Sequence, residues 1–342
     1  MKRFVLMFAA LGLLFACKHE ENNINKHNTA VDPSEIELSI NGAPESAVLV
    51  GEKFSLTVES TSDDVDVQTA EWSSSDPAVA KVNANGRVLA TGQGTCEISA
   101  SIGEISANVS VSVDDRDPGK DAMGHEGASK TTQGKDNDRT HFSLGDTGLD
   151  GLIWYQGGNN SVIYYENGTF KAAWSWTNDF YVGVGYDYGE PGVNLEDMQY
   201  DCYFKHSKAG SGGGYNYIGI RGWMVNPLVE FFIVDDWYNK PGSGLLGQKK
   251  GEVTVDGDTY EIWQNTRVQQ PSIMGPQTFA QYFSVRRTAR ASGHIHVSTH
   301  FNYWEKLGME LGKIYELWYY VEVGGGSGSL DCTYLFMSDG QI

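Results

Sequence analysis

Short segments with the hydrophobic pattern of β-strands, separated by turn residues, run through most of the chain. Residues 227–235 are a short run rich in Val, Ile and Phe, which predicts a strand rather than a helix. Residues 315–322 predict a second strand, which is dominated by aromatic side chains. Residues 35–40, 54–58 and 107–113 alternate apolar with polar positions, as half-buried strands do. The pattern therefore predicts an all-β protein whose first third forms a small β-sandwich.

One carboxylate interrupts the apolar strand at residues 227–235. On a strand, Glu230 shares a face with Leu228 and Phe232, so it is expected to be buried. An unpaired buried carboxylate is costly, which leaves two interpretations: an ion pair across the sheet, or chemistry in a cleft. A second acid, Glu322, ends the aromatic strand. Two carboxylates facing one groove can share the general-acid and nucleophile roles of glycoside hydrolysis.

Several motifs occur in a fixed order around these two acids. They are WYQGG at 154–158, AWS at 173–175 followed by DF at 179–180, and the segments 251–260, 266–275 and 281–286. With this series, the chain from residue 141 to 342 resembles glycoside hydrolase family 11, the endo-1,4-β-xylanases. The resemblance implies a β-jelly-roll, in which two curved antiparallel sheets pack together and one short helix is present.

The resemblance also implies roles for the acids. Glu230 would be the nucleophile and Glu322 the acid/base of a retaining double displacement, with their carboxyl groups about 5–5.5 Å apart. The negative charge of Glu230 would keep Glu322 protonated. Asp179 matches the family position that contacts the acid/base and would modulate it. The alternative is that Asp179 only closes the turn 177–179.

Substrate-binding positions follow from the same resemblance. An aromatic ring suits the C–H face of a pyranose, and a hairpin called the thumb can close over the substrate and exclude water. The residues at such positions are Trp154 for stacking, Pro271, Ser272 and Ile273 at the thumb tip, Arg267 and Gln281 on the cleft wall, and Arg221 and Phe232 beside the acids.

This chain departs from the family pattern at several of these positions. Arg221, Phe232 and Glu316 each stand where the family usually has a tyrosine. Phe283 stands for a tryptophan, and Val323 for a small residue. Because the lost tyrosines contact the reacting sugar and the nucleophile, turnover or substrate preference is expected to differ. A catalytically weakened or altered-specificity glycan-binding protein on the cell surface is therefore the alternative to an active xylanase.

Two of these departures suggest that a pair of tyrosines has been replaced together by two residues of opposite charge. Arg221 and Glu316 both fall on the cleft-facing positions of their strands. We expect them to form an ion pair beside Glu230, in the space of two tyrosines. The alternative is that Arg221 leans toward Glu230 and stabilises the charge of the nucleophile.

The first third of the chain carries a second resemblance. The motifs at 72–77, 80–88 and 94–98 resemble those of bacterial immunoglobulin-like domains of group 2, which implies such a domain over residues 34–113. A small sandwich needs its aromatic side chains in its core, so a spacer is a better interpretation than a carbohydrate-binding module. Residues 114–140 have almost no large apolar residue and predict a flexible linker.

The N-terminus has the pattern of a targeting segment. Met1-Lys2-Arg3 precede an apolar run that ends just before Cys17, which predicts a lipoprotein signal peptide at 1–17 with Cys17 as the lipidated residue. An ordinary secretory signal with a chance cysteine is the alternative. Residues 18–33 predict a polar tether. The protein is thus expected to be exported and anchored by lipid to a bacterial membrane, at the outer membrane or cell surface.

The amino-acid composition limits the classes of binding partner that this protein can have. The formal net charge of −19 argues against nucleic acid, whose phosphates require a basic surface. The expected partner is xylan or a related β-1,4-linked polysaccharide, bound by a monomer. No His, Cys or acid group shows metal-ligand spacing, so we expect no metal and no cofactor. A bridge between Cys202 and Cys332 is possible but has no support from spacing.

Overall fold

The computed structural model describes residues 36–121, 123–132 and 134–342. The predicted signal peptide, the polar tether and Cys17 lie outside the described residues. None of the helices in the described ranges is both long enough and apolar enough to cross a membrane.

The small domain at the N-terminus is a sandwich of short sheets. Its strands are β1 (Leu38–Asn41), β2 (Val48–Leu49), β3 (Lys53–Ser55), β4 (Thr57–Ser60), β5 (Glu71–Ser74), β6 (Ala80–Val82), β7 (Arg87–Ala90), β8 (Gly94–Ile102) and β9 (Ile105–Asp114). A four-stranded sheet has the order β2-β9-β8-β5, a three-stranded sheet has the order β3-β7-β6, and β1 pairs with β4.

The alternation predicted from the sequence explains how this domain packs. Cys96 and Ile98 on β8 are buried, as are Val111 and Val113 on β9, while their neighbours face solvent. Trp72 is partly buried and packs against this core, in keeping with the core role expected for it.

In its described residues, the large domain contains two long sheets and two α-helices, together with 3-10 turns at Gly145–Thr147 and Leu195–Asp197. Its elements are β10 (Ser129–Thr132), β11 (Thr140–Ser143), β12 (Asp150–Gln156), β13 (Asn159–Tyr165), β14 (Phe170–Ser175), β15 (Asp179–Asp187), β16 (Asp201–Gly210), β17 (Asn216–Val225), β18 (Val229–Asp236), α1 (Ser243–Leu246), β19 (Gln248–Val255), β20 (Asp258–Gln270), β21 (Gln277–Arg286), β22 (Ser292–Ile295), α2 (Val297–Lys306), β23 (Lys313–Val323) and β24 (Ser327–Ser338). The single short helix expected corresponds to α2, and α1 adds one further turn.

The two sheets have a jelly-roll arrangement, as the resemblance implied. The six-stranded sheet has the order β10-β13-β14-β24-β16-β22, and the nine-stranded sheet has the order β11-β12-β15-β23-β17-β18-β21-β20-β19. All pairs within them are antiparallel except β18 with β21. The main core lies between the sheets.

The central strands of the nine-stranded sheet are buried on both faces. Every residue of β17 and β18 is buried. Phe231 and Ile233 point into the main core, while Phe232 and Val234 belong to a second aromatic cluster on the opposite face. Strands that are buried on both faces show a continuous apolar run rather than alternation. This is why residues 227–235 lack a polar face, and Glu230 lies on the same face as Phe232.

The segment expected to be a flexible linker instead packs on the large domain. Within residues 114–140, β10 extends the six-stranded sheet by pairing with β13. The Gly124 N–H donates to the Thr333 carbonyl at 2.9 Å, and the His125 ring bonds Asp331 at 2.8 Å. Hydrogen bonds rather than apolar contacts attach this segment to the large domain. Its lack of large apolar residues therefore did not indicate flexibility.

Cys202 and Cys332 are not bridged to each other. Cys202 and Cys332 are both buried free thiols, as is Cys96. On the paired strands β16 and β24, Cys202 lies opposite Met337, whereas Cys332 lies opposite His206. The two sulfurs therefore belong to different positions of the ladder.

Candidate active site

A cleft of about 680 Å³ lies on the face of the nine-stranded sheet that is turned away from the main core. Every residue predicted to form the site lines this cleft. These residues are Trp154, Asp179, Arg221, Glu230, Phe232, Arg267, Pro271, Ser272, Ile273, Gln281 and Glu322.

The two acids stand on strands that flank β17. Glu230 on β18 is opposite Trp223, and Glu322 on β23 is opposite Tyr217. Arg221 lies between them on β17, where its Nη2 is 2.5 Å from Glu230 Oε1 and its Nε is 3.6 Å from Glu322 Oε2. One guanidinium therefore bridges both carboxyl groups, in an environment where all three side chains are largely buried.

The expected pair of Arg221 with Glu316 is wrong. Glu316 is fully buried and pairs with Arg139, which comes from the segment before β11. On the ladder between β17 and β23, Arg221 is opposite Trp318, and Glu316 is opposite Trp223. Both strand positions were correctly assigned to one face. However, Arg221 points toward Glu230, as the alternative interpretation expected, and it also lies beside Glu322.

Glu230 is held on both of its oxygens. Arg221 binds Oε1, and the Gln281 side-chain amide donates to Oε2 at 2.7 Å. Gln281 reaches it because β18 and β21 are parallel neighbours that place the two residues side by side. A carboxylate fixed in this way has a defined direction toward the cleft, as a nucleophile requires.

Glu322 has a different environment. Burial raises its pKa well above the ordinary value, the negative charges of Asp179 and Glu230 add to this, and Arg221 opposes it. Its Oε2 has no hydrogen-bond partner among the described residues. A carboxyl group with a raised pKa retains its proton near neutral pH, which suits a general acid.

Asp179 lies next to these groups at the start of β15. Burial raises its pKa, while a hydrogen bond from Tyr215 and the charge of Arg221 lower it. The turn before it is closed by the Thr177 hydroxyl, which donates to the Asp179 carbonyl at 2.8 Å. The main chain of Asp179 thus serves the turn, and its carboxyl group is left for the cleft.

Aromatic rings form the walls. Trp154 stacks on Tyr181, with ring centroids 5.7 Å apart. Phe232 lies parallel to Phe283 at 4.7 Å, and the Arg221 guanidinium lies 4.5 Å above the Tyr181 ring. Such surfaces suit the C–H faces of sugar rings.

The thumb is the hairpin between β20 and β21. At its tip, the Ser272 hydroxyl donates to the Gly275 carbonyl at 2.6 Å and accepts from the Met274 N–H at 3.1 Å. This turn presents Pro271 and Ile273 to the cleft. Arg267 lies on the β20 side of the same hairpin.

Sequence reasoning missed several residues of the cleft. Tyr215 and Tyr217 line it, and Tyr217 lies on the same face of β17 as Arg221. Strict alternation from Arg221 backward would have found Tyr217. Arg139 also lines the cleft, but it lies in a polar segment whose sequence gives no signal for it.

A groove with aromatic walls, one carboxylate fixed by a cation and one buried protonated carboxyl group can perform acid-assisted displacement at a sugar carbon. The fold and the site thus define a glycoside hydrolase with two carboxyl groups. The chain belongs to the glycosyl hydrolases family 11, whose family model matches residues 148–333. A model of the bacterial Ig-like domain (group 2) matches residues 39–113.

Known proteins resemble the large domain closely. Endo-1,4-beta-xylanase C of Fibrobacter succinogenes is 60% identical over 220 residues, which are 64% of this chain and 36% of that protein. Endo-1,4-beta-xylanase S20 of Neocallimastix patriciarum is 41% identical over 193 residues, which are 55% and 57% of the two chains. This chain thus spans about a third to three fifths of these relatives. The crystal structure of wild-type ENZbleach xylanase has a TM-score of 0.60 at 33% identity, over 66% of this chain and 96% of the other.

Proposed function

We propose that the protein is a retaining endo-1,4-β-xylanase that hydrolyses internal β-1,4-xylosidic bonds of xylan. The observation that carries this proposal is the pair of carboxyl groups bridged by Arg221 in an aromatic cleft. The names of the relatives that are 41% and 60% identical support xylan as the substrate.

In the proposed reaction, Glu230 attacks the anomeric carbon while Glu322 transfers its proton to the departing glycosidic oxygen. The bond between the anomeric carbon and that oxygen breaks, and a glycosyl ester forms on Glu230. Glu322, now ionised, then takes a proton from water, whose oxygen displaces Glu230 and restores both groups. Two inversions give net retention. Arg221 and Gln281 keep Glu230 in position, and Asp179 modulates the acid/base.

The test is the release of reducing sugar from soluble β-1,4-xylan. Glu230→Gln should lower kcat by at least about a thousandfold, because the amide cannot act as the nucleophile. Glu305→Gln, on an exposed position of α2, is the matched control and should leave the rate unchanged. Proton NMR of the first products should find the β-anomer. Absence of product from the wild-type protein, or an α-anomer formed first, would refute the proposal.

One observation favours a second candidate function. Arg221 stands where the family usually has a tyrosine, and its positive charge neutralises part of the negative charge of the two acids. A protein that binds glycan without cleaving it would tolerate this change. Affinity electrophoresis on xylan distinguishes the two functions. Retardation without cleavage supports the binding protein, whereas cleavage supports the enzyme.

We also propose that the protein is exported as a monomeric lipoprotein with Cys17 as its lipidated residue. The support is the charged, apolar and cysteine pattern of residues 1–17. Cys17→Ser should abolish the incorporation of labelled palmitate and release the protein from the membrane fraction. Equal labelling of the variant would contradict the anchor.

A further inference from the structure

Three potential metal ligands meet on the large domain outside the cleft. Asp201 begins β16, His294 lies on β22, and His296 follows directly after β22. One ligand atom from each lies within 4.8 Å of those of the other two. The sequence did not indicate this group, because Asp201 is remote from the histidines in the chain and the two strands meet only in the fold.

The spacing within the group suits a first-row divalent ion. His294 Nε2 lies 2.8 Å from Asp201 Oδ1. Two ligands on one zinc ion, each at about 2.0–2.1 Å, are separated by roughly 3 Å. The two imidazole rings are close, with centroids 3.7 Å apart. The half-exposed His296 completes the group, with one ligand atom within 4.8 Å of those of Asp201 and His294.

The surroundings orient His296 for this task. Its Nδ1 is bound by the carboxylate of Asp256, whose side chain is fully buried. The main-chain carbonyl of Asp256 accepts hydrogen bonds from Arg286 at 2.9 Å and from Arg290 at 3.2 Å. These bonds fix the backbone that carries the Asp256 carboxylate. A histidine held by a carboxylate on one ring nitrogen presents the other nitrogen to a metal, as metal-ligating histidines commonly do.

His294 is fixed in a different way. Its ring stacks on Tyr203 with centroids 3.7 Å apart, and the Tyr203 hydroxyl donates to Asp115 at 2.8 Å. Asp115 follows the last strand of the small domain. The group thus lies where the two domains meet, with Asp201 in direct reach of a cation, Asp256 behind His296 and Asp115 behind Tyr203.

We propose that Asp201, His294 and His296 bind one Zn²⁺ ion. Imidazole nitrogen and carboxylate oxygen are ligands that zinc accepts, and three protein ligands leave a position for water on the exposed side. None of the three lines the cleft. The ion therefore stabilises the junction of the domains and takes no part in glycan chemistry. The proposal is independent of the proposed function.

The experiment is a titration of the full chain, freed of metal by chelator and dialysis, with Zn²⁺ in a calorimeter. The wild-type protein should bind one ion with micromolar or tighter affinity, and its Tm should rise. His296→Ala should weaken binding at least about tenfold and cancel the rise in Tm. Asp256→Asn should weaken binding about 10–100-fold through the orientation of His296.

His141→Ala is the matched control. His141 also faces one aspartate, Asp187 at 3.2 Å, and its side chain is 52% exposed, compared with 50% for His296. Its binding curve should equal that of the wild type. Co²⁺ in place of Zn²⁺ should give visible bands of a nitrogen and oxygen site, which His296→Ala loses. A folded wild-type protein that binds no Zn²⁺, or a His296→Ala protein that binds it as tightly as the wild type, would overturn the proposal.

Discussion

At the scale of single residues, one substitution changes the electrostatics of the site. A tyrosine would place a neutral hydroxyl at position 221, whereas Arg221 places a full charge within 2.5 Å of Glu230 and 3.6 Å of Glu322. The buried site gives this charge a strong influence, because water screens it little. Two of its nitrogens, Nε and Nη1, are buried and have no hydrogen-bond partner among the described residues, although Nε lies 3.6 Å from Glu322 Oε2.

Arg221→Ala should therefore shift the pH profile. The guanidinium lowers the pKa of Glu322, so its removal should raise that pKa further. Since the general acid must be protonated, the alkaline limb of kcat/KM should move to higher pH, while kcat falls because Glu230 loses its partner. Arg221→Lys keeps a positive charge at this position, so its alkaline limb should lie between those of the wild type and Arg221→Ala. Arg287→Ala, on the surface, is the control. An alkaline limb that stays in place or moves to lower pH would show that Arg221 does not act on the acid.

Glu322 should also affect stability in a pH-dependent way. Burial raises its folded-state pKa above the ordinary value of 4.5, so the folded protein binds more protons than the unfolded one as pH rises above 4.5. Stability from this group is thus fully present at low pH and is lost as pH rises through the folded-state pKa. Glu322→Gln should raise Tm by a few degrees at about pH 8 and by little at about pH 4. An equal change at both pH values would contradict this.

At the scale of elements, the strands were predictable where apolar residues define them. The segment 227–235 and the aromatic strand before Glu322 were identified from residue type, and their parity placed Glu230 and Glu322 on the cleft side. β10 was not identified, because Ser129–Thr132 contains no apolar residue and its pairing with β13 supplies only backbone hydrogen bonds. The ion-pair partner of a buried charged residue was not predictable, because it depends on side-chain rotamers and on segments remote in sequence. The pair of Arg139 with Glu316 is an example.

The pair of Arg139 with Glu316 fastens the segment before β11 to β23. Arg139→Ala leaves the fully buried Glu316 unpaired, so the free energy of unfolding should fall by about 3–5 kcal/mol. The double change with Glu316→Ala should cost less than the sum of the single changes, as urea melts of the four proteins can measure.

Lys135→Ala is the control for this cycle. Lys135 lies in the same segment and pairs with Asp138 at 3.8 Å, but it is 82% exposed. Its loss should change stability by less than about 0.5 kcal/mol. Strictly additive losses for Arg139 and Glu316 would mean that the two side chains act independently.

At the scale of the whole molecule, the small domain is in direct contact with the large one. Tyr203 and Tyr334 of the large domain belong to the same apolar cluster as Val50 and Val113 of the small domain. The Tyr203 hydroxyl reaches across to Asp115. A spacer joined by a flexible linker would share no core with its neighbour. The contact therefore holds the large domain in a defined orientation relative to the small one.

Arg116 is the centre of this contact. Its Nε donates to the Val50 carbonyl at 2.7 Å, its Nη1 donates to the Tyr334 hydroxyl at 3.3 Å, and its guanidinium lies 3.5 Å above the Phe336 ring. Arg116→Ala removes all three contacts and leaves a buried carbonyl without its donor. The free energy of unfolding should fall by about 1–3 kcal/mol.

The same change should also make the amide hydrogen exchange of the two domains independent of each other. In the wild-type protein, amide hydrogens of β9 and β24 should exchange together, because opening the contact exposes both. In Arg116→Ala, those of the small domain should exchange faster, while those of β17 and β18 beneath the cleft stay protected. Arg87→Ala, an exposed arginine within the small domain, is the control and should change neither stability nor exchange. If Arg116→Ala leaves the exchange of both domains unchanged, the contact does not couple them.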